Sequence, residues 1–226
     1  MQLCPLENGS PNPNLRVQFF GIELEIRGAV LRPRKETELL GRVAQGLLRS
    51  MSVVPVCVDM CCGSGNLALA LATHSEDARV IACDLTADSV ETTRHNVTQL
   101  GFQERVAVMQ GDLFEPLAGL ERGLDLIVSN PPYISTSRLI SGDRSHLLLS
   151  EPREAFDGGP YGITLHTRLI VEGARYLKPG GWLAFEFGLG QDRQVAALFK
   201  RLRAYDEPLW HVDEAGERRV VCARKT

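Results

Sequence analysis

The sequence lacks the features that would place the protein in a membrane or export it from the cell. Its 226 residues contain no apolar run near the length of about 18 residues that a transmembrane helix needs. The first residues, Met1 to Asn14, have no basic start followed by an apolar core, so they do not resemble a signal peptide. We therefore expect a cytoplasmic protein with no membrane partner.

An excess of positive charge is also absent. The 25 lysines and arginines are outnumbered by 28 aspartates and glutamates, which gives a net charge of −3 and a pI of about 6.0. Such a chain offers no broad basic field to a phosphate backbone, so nucleic acid is not the expected partner. Apolar residues at 44% and charged residues at 23% are typical of a globular α/β domain.

Cysteine and histidine patterns that would indicate a metal site or a hydrolase are missing. Cys57 and Cys61 stand four residues apart, but no second pair has a zinc-like spacing, so we expect no bound metal. Cys61 and Cys62 are adjacent and poorly placed for a disulfide, and we expect them to be neither bonded nor catalytic. No histidine lies beside a nucleophile and an orienting acid, which argues against a catalytic triad.

From residue 51 onward, short apolar strands alternate with helices. We predict five strands at 53–60, 79–84, 105–110, 124–129 and 182–187, followed by a hairpin over 208–223. This order predicts a Rossmann-like α/β fold, with a mostly parallel seven-stranded sheet, helices on both faces and a C-terminal β-hairpin. Residues 1–50 form a predicted extension of turn-rich chain, hairpin and helix, and residues 51–226 form the main domain.

The segment Asn130-Pro131-Pro132-Tyr133 follows the predicted strand 124–129. Each proline fixes its own φ and keeps the preceding residue extended, so Asn130 and Pro131 are held rigidly at the carboxyl end of the strand, where α/β sheets bind ligands. The Asn130 side-chain oxygen and the Pro131 carbonyl form a pair of acceptors suited to a planar NH2 group, which Tyr133 can cover. A plain Pro-Pro turn with a solvated asparagine is the alternative reading.

Glycines and acids at the ends of the first three strands of the main domain predict a nucleotide-binding rim. Gly63 and Gly65 allow close approach of a ligand to the backbone before a helix N-terminus. Asp84 follows Gly63 by 21 residues, the spacing at which a carboxylate reaches ribose hydroxyls. The candidate cofactor-binding residues are Asp59, Cys61, Gly63, Gly65, Asn66, Asp84, Leu85, Gly111, Asp112, Leu113 and Asn130.

Three features favour S-adenosylmethionine over a dinucleotide as the cofactor. Cys61 occupies the first glycine position of a G-x-G-x-x-G loop, so that loop is incomplete. Asp112 ends a third strand, where it can accept a hydrogen bond from an adenine amino group. A hairpin, rather than another strand–helix–strand unit, completes the sheet.

The chain resembles the class I methyltransferases that methylate the side-chain amide nitrogen of glutamine in peptide-chain release factors. The resemblance runs from about Phe19 to Arg224 and is carried by these motifs: Phe20-Gly21, Leu31 to Glu38, Asp59 to Asn66, Asp84, Gly111-Asp112, Ser129 to Ile134, Glu151-Pro152, Gly158-Gly159, Lys178 to Gly181, Glu186 with Gly188, and Asp213 to Arg219. It implies that S-adenosylmethionine is converted to S-adenosylhomocysteine and that Asn130, Pro131 and Tyr133 are the catalytic residues.

The sequence departs from the family pattern in three places. Cys61 and Cys62 replace a usual Gly-Thr pair, and Lys35 replaces a usual proline. The family usually carries an N-terminal helical domain that helps to recognise the protein substrate, whereas here only about 16 residues precede the hairpin. The identity of the acceptor is therefore the open point.

Three acceptors remain compatible with the residues. The first is a protein glutamine, the second a small-molecule metabolite bearing an amide or amine, and the third the exocyclic amine of adenine in nucleic acid. In each case two acceptors would orient a poorly nucleophilic nitrogen toward the methyl group. Glu186 is a candidate supporting residue at the end of the fifth strand, and the long segment 135–160 has the character of a lid. The oligomeric state is not predicted.

Overall fold

The structure is a computed structural model and describes residues 15–51, 54–140 and 152–226. The predictions for the turn-rich N-terminus up to residue 14 and for Glu151 therefore lie outside the described residues. In the described residues no helix combines the length and the apolar character needed to cross a membrane.

Seven strands form the main sheet, and the predicted α/β architecture is confirmed. A separate hairpin of β1 (Leu15–Phe19) and β2 (Ile22–Ile26) precedes it. The sheet strands are β3 (Val56–Met60), β4 (Arg79–Asp84), β5 (Val106–Gln110), β6 (Leu124–Ser129), β7 (Leu177–Glu186), β8 (Leu209–Val212) and β9 (Arg218–Arg224). Their spatial order is β5-β4-β3-β6-β7-β9-β8, and only β9 pairs antiparallel with both neighbours.

Helices cover both faces of the sheet. They are α1 (Glu38–Arg49), α2 (Asn66–His74), α3 (Ala87–Gln99), α4 (Thr136–Ile140), α5 (Thr164–Tyr176) and α6 (Asp192–Leu202). The alternation of side chains along β6 divides the core: Leu126 and Val128 belong to the layer under α1 and α2, and Ile127 to the layer under α5.

Two predicted strands begin at a clearly different residue in the structure. The strand predicted over 53–60 begins at Val56. The strand predicted over 182–187 begins earlier, at Leu177, so the motif Lys178 to Gly181 lies within β7. Gly180 donates its N–H to the Lys225 carbonyl, and Lys225 returns an N–H to the carbonyl of Gly181. A register shift opposite Leu124 and Leu126 accommodates the extra residues.

The N-terminal segment packs on the same core as the sheet. Phe19, Ile22 and Leu24 are buried with residues of α1 and α2. The Asn96 side chain of α3 accepts from the Glu25 N–H and donates to the Glu25 and Ser64 carbonyls, all at 2.9–3.0 Å. These bonds connect the hairpin to the turn after β3. The domain boundary near residue 50 stays a prediction.

Candidate functional site

The carboxyl ends of β4, β3, β6 and β7 lie side by side at one edge of the sheet. The chain runs outward from β3 to β4 on one side and returns to β6 on the other, so the strand order changes direction between β3 and β6. Crevices form at such reversals, and ligands bind there in open α/β sheets. Both predicted half-sites lie at this edge.

The turn after β3 has the backbone shape that the glycines predicted. Gly63 and Gly65 have φ of 56° and 79°, and Cys61 also lies in the left-handed region, at 58°. A Cβ on Gly65 would lie 2.8 Å from Thr93 Cγ2, so side-chain packing also favours glycine there. α2 begins directly after this turn, and its N-cap residue, Gly65, has no side chain to bond the first N–H groups of the helix. Apart from the Ala68 N–H, which the buried Asp59 side chain accepts, the first turn of α2 leaves N–H groups that could bind a ligand.

Asp59 is buried beneath the turn rather than exposed on the rim. Its Oδ2 accepts from the Ala68 N–H at 2.9 Å, and its Oδ1 has no hydrogen-bond partner among the described residues. Burial raises the pKa of this carboxyl to about 8, and the charge of Asp84 acts in the same direction. Burial therefore favours the protonated form of this carboxyl, against the hydrogen bond from Ala68, which favours the charged form.

Asp84 and Asp112 reach the crevice, and both have protein partners. Asp84 Oδ2 accepts from the Gly63 N–H at 2.9 Å, and Oδ1 accepts from Thr86. Both oxygens of Asp112 accept from Nη1 of Arg168, at 2.7 and 2.9 Å. Each carboxylate oxygen has two lone pairs, so both residues keep capacity for a ligand donor. Arg168, from α5, was not predicted and carried no motif by which the sequence could reveal it.

A cavity at this edge gathers most of the predicted cofactor residues. Its lining includes Cys61, Gly63, Asp84, Leu85, Gly111, Asp112, Leu113 and Asn130. Asn66 lines a smaller adjoining cavity, which Asn130 also borders, whereas Asp59 and Gly65 lie buried behind the turn. Five further residues line the larger cavity and were not predicted to bind the cofactor: Ala29, Leu31, Pro152, Glu154 and Ala155. Of these, Leu31 and Pro152 belong to motifs of the family resemblance, and the other three carried no signal in the sequence.

Asn130 connects to a buried polar cluster behind the acceptor segment. Its Nδ2 donates to Thr37 Oγ1 at 3.0 Å, and Thr37 Oγ1 donates to Glu186 Oε2 at 2.8 Å. The Tyr133 hydroxyl donates to the other oxygen, Glu186 Oε1, at 3.1 Å. Arg219 Nη2 lies 3.2 Å from the Tyr133 hydroxyl and 3.7 Å from Glu186 Oε1. Burial raises the pKa of Glu186, opposed by its bond from Thr37 and by the charge of Arg219.

The segment predicted as a lid supports the acceptor loop where the structure describes it. Ile134 donates its N–H to the Phe156 carbonyl and accepts from the Gly158 N–H. A Cβ on Gly158 would come within 2.9 Å of Tyr133 Cα, and Gln191 Nε2 donates to the Tyr133 carbonyl. Backbone hydrogen bonds and close packing from residues 156–158, together with Gln191, therefore hold the acceptor loop in place at Tyr133 and Ile134.

Comparisons with known proteins first define the class. A family model described as the methyltransferase small domain matches residues 42–159. The fold is shared with the ribosomal protein L11 methylase of Lactobacillus delbrueckii subsp. bulgaricus, with a TM-score of 0.63 and 18% identity over 89% of this chain and 84% of that one. It is also shared with a SAM dependent methyltransferase from Aquifex aeolicus, with a TM-score of 0.57 and 16% identity over 86% of this chain and 94% of the other. This is the class I methyltransferase fold.

Curated relatives narrow the class to a family. A release factor glutamine methyltransferase of Moorella thermoacetica is 36% identical over 91% of this chain and 71% of its own length. The protein of that name from Clostridium botulinum is 32% identical, covering 92% of this chain and 72% of the relative. A third protein of that name, from Streptomyces coelicolor, is 35% identical over 93% of this chain and 73% of its own length. The chain belongs to the release factor glutamine methyltransferase family.

Proposed function

We propose that the protein transfers a methyl group from S-adenosylmethionine to the side-chain amide nitrogen of a glutamine in a protein substrate of the release-factor type. The observation that carries this proposal is the position of Asn130. It lies where the two cavities meet, with its amide nitrogen bonded to Thr37 and no described residue donating to its Oδ1. An acceptor atom is thus left for an incoming NH2 group.

The crevice fits S-adenosylmethionine in the chemistry of its donors and acceptors. Asp84 and Asp112 supply carboxylate oxygens for ribose hydroxyls and an adenine amine, and the turn at Gly63 supplies backbone for the methionine end. Leu85 and Leu113 add apolar surface for a base. When bound, S-adenosylmethionine supplies an electrophilic methyl group on a sulfonium.

The acceptor residues address a weakness of the amide nitrogen as a nucleophile, because its lone pair is delocalised into the carbonyl. Asn130 Oδ1 and the Pro131 carbonyl would hold the two amide hydrogens and so orient that lone pair. As positive charge builds on the nitrogen, these two fixed dipoles stabilise it. The Tyr133 ring would restrict the plane of the acceptor. No strong base is required before the transfer: the nitrogen lone pair would form the new N–C bond while the C–S bonding pair stays on sulfur as S-adenosylhomocysteine, and the methylated, cationic nitrogen would then release one of its two protons to solvent.

A direct assay tests the proposal. The protein, S-adenosylmethionine and a bacterial release factor are incubated together, and the factor is digested and analysed by tandem mass spectrometry. We expect one glutamine to become heavier by one methylene group, with the mass on its side chain. An Asn130→Ala variant serves as the inactive control. A release factor that stays unmodified while a free metabolite or an adenine base is methylated would contradict the proposal.

A further inference from the structure

We propose that Thr37 and Glu186 are positioning residues that fix the orientation of the Asn130 side-chain amide, so that its oxygen faces the NH2 group of the substrate. This inference rests on the proposed function, in which Asn130 Oδ1 receives a hydrogen bond from the substrate. It assigns a role in catalysis to a residue of the N-terminal segment, which lies outside the predicted main domain.

The geometry forms a continuous chain of hydrogen bonds. Glu186 Oε2, Thr37 Oγ1 and Asn130 Nδ2 are joined by contacts of 2.8 and 3.0 Å. Thr37 is 1% exposed and Glu186 2% exposed, so water does not compete for these bonds. The three residues come from three separate parts of the chain: the turn before α1, the end of β6 and the end of β7.

The direction of the chain follows from the hydrogens available. A carboxylate only accepts, and a threonine hydroxyl has a single hydrogen. Because Thr37 gives that hydrogen to Glu186, its oxygen can only accept from Asn130. The NH2 of Asn130 must therefore face Thr37, and the carbonyl oxygen must occupy the other branch of the amide.

The reversed amide is disfavoured for the same reason. Turning Asn130 over would place its oxygen against a buried hydroxyl oxygen that has no hydrogen left to give. The reversed amide would also present a donor to the substrate NH2, which is itself a donor. Either mismatch removes the orientation on which transfer depends.

Further contacts keep Glu186 in place. Its second oxygen, Oε1, accepts from the Tyr133 hydroxyl at 3.1 Å, and Arg219 lies 3.7 Å away. The same carboxylate thus positions two residues of the acceptor segment: it holds Asn130 through Thr37, and it holds Tyr133 by a direct hydrogen bond. Loss of Glu186 should therefore affect turnover more than cofactor binding.

The test compares Thr37→Val with Thr37→Ser. Valine matches the shape of threonine but removes the hydroxyl, and serine keeps the hydroxyl. We expect Thr37→Val to lower kcat by at least about tenfold, by misorientation of the acceptor, while the Kd for S-adenosylmethionine changes little. Thr37→Ser should retain most of the wild-type kcat. Thr92→Val is the matched control. Thr92 lies on α3, is as buried as Thr37, and donates one hydrogen bond, to the Arg27 carbonyl.

Glu186→Gln keeps the inference falsifiable if Thr37→Val folds poorly, and a double variant sharpens the test if Thr37→Val folds. Glutamine has nearly the same shape as glutamate, and in Glu186→Gln its NH2 can donate to Thr37. The Thr37 hydroxyl would then donate to Asn130, which reverses the direction of the hydrogen bonds. We expect kcat to fall with little change in the melting temperature. In an Asn130→Ala background, Thr37→Val should cause no additional loss of kcat, because there is no amide left to orient.

The outcomes separate the two proposals. A folded Thr37→Val with wild-type kcat, or equal added losses in the two backgrounds, overturns the positioning role and leaves the proposed function standing. Wild-type activity in Asn130→Ala itself overturns the proposed function.

Discussion

The two halves of the crevice are built in different ways. The glycine turn of the cofactor half is local in sequence: Asp84 binds a backbone N–H 21 residues away, and Asp59 binds one 9 residues away, although Asp112 of the same half binds Arg168 across 56 residues. The acceptor half joins distant residues, with 93 residues between Asn130 and Thr37 and 149 between Thr37 and Glu186. The glycine turn needs only β3, the start of α2 and the neighbouring strand β4, whereas the acceptor half requires the N-terminal segment, β6 and β7 to be in place together.

Asn130→Ala should separate the two halves most clearly. Asn130 lies beyond β6 and is only partly buried, so its truncation leaves no cavity in the core. We expect turnover to fall by about 100-fold or more through misorientation of the acceptor nitrogen. The Kd for S-adenosylmethionine, measured by calorimetry, should stay close to that of the wild type. A large loss of cofactor affinity would show that the halves are not independent.

Asp84→Ala is the reciprocal change in the cofactor half. The carboxylate serves the ligand and also accepts from the Gly63 N–H and from Thr86, so its removal affects charge-assisted hydrogen bonds within the protein as well as those to the ligand. Calorimetry should show a loss of about 1–3 kcal/mol in the free energy of cofactor binding. At saturating cofactor, kcat should change much less. Asp77→Ala, at an exposed aspartate, is the control. Unchanged affinity in Asp84→Ala would overturn its assignment.

The contrast between local and distant contacts also explains which features the sequence could predict. The parallel strands, the glycine turn and the acids at strand ends follow from short patterns of apolar residues, glycine and proline, and the strand limits at Arg79–Asp84 and Leu124–Ser129 are as predicted. The extension of β7 back to Leu177 could not be predicted, because glycine and proline in that stretch are typical of a turn. Pairing with Lys225 outweighs that local preference.

Neither the partner of Asp112 nor that of Asn130 could be predicted. Arg168 lies in no motif, and Thr37 lies in the Leu31 to Glu38 motif, which says nothing of its partner; each reaches its partner only because α5 and the turn before α1 pack at the same edge of the sheet. Glu186 was a candidate from its position at a strand end alone, and the structure adds what it contacts. Side-chain networks of this kind depend on tertiary packing.

The buried carboxyl of Asp59 should make stability depend on pH within the cofactor half. Burial raises its pKa in the folded protein from 3.8 to about 8, so the folded state holds a proton that the unfolded state has lost. The resulting stabilisation is complete below about pH 4 and is lost as pH rises through about 8, with a slope of at most about 1.4 kcal/mol per pH unit. Asp59→Asn removes this titration. Denaturant unfolding at several pH values should show wild type losing stability relative to the variant. Parallel curves for the two proteins would contradict the assignment.

The smallest effect is expected from the two cysteines of the turn. Cys61 has a left-handed φ of 58°, which glycine adopts without strain, and Cys62 Sγ lies 3.5 Å from Thr93 Oγ1, a contact that a threonine hydroxyl can replace. The double variant Cys61→Gly, Cys62→Thr should therefore keep the cofactor Kd and the kcat of the wild type within about threefold, since neither side chain bonds to Asn130, Thr37 or Glu186 among the described residues. The melting temperature should stay level or rise, because the strain at Cys61 is relieved. If kcat collapses while the cofactor still binds, a thiol takes part in the chemistry, and the separation of the two halves fails at the turn that was expected to serve only the cofactor.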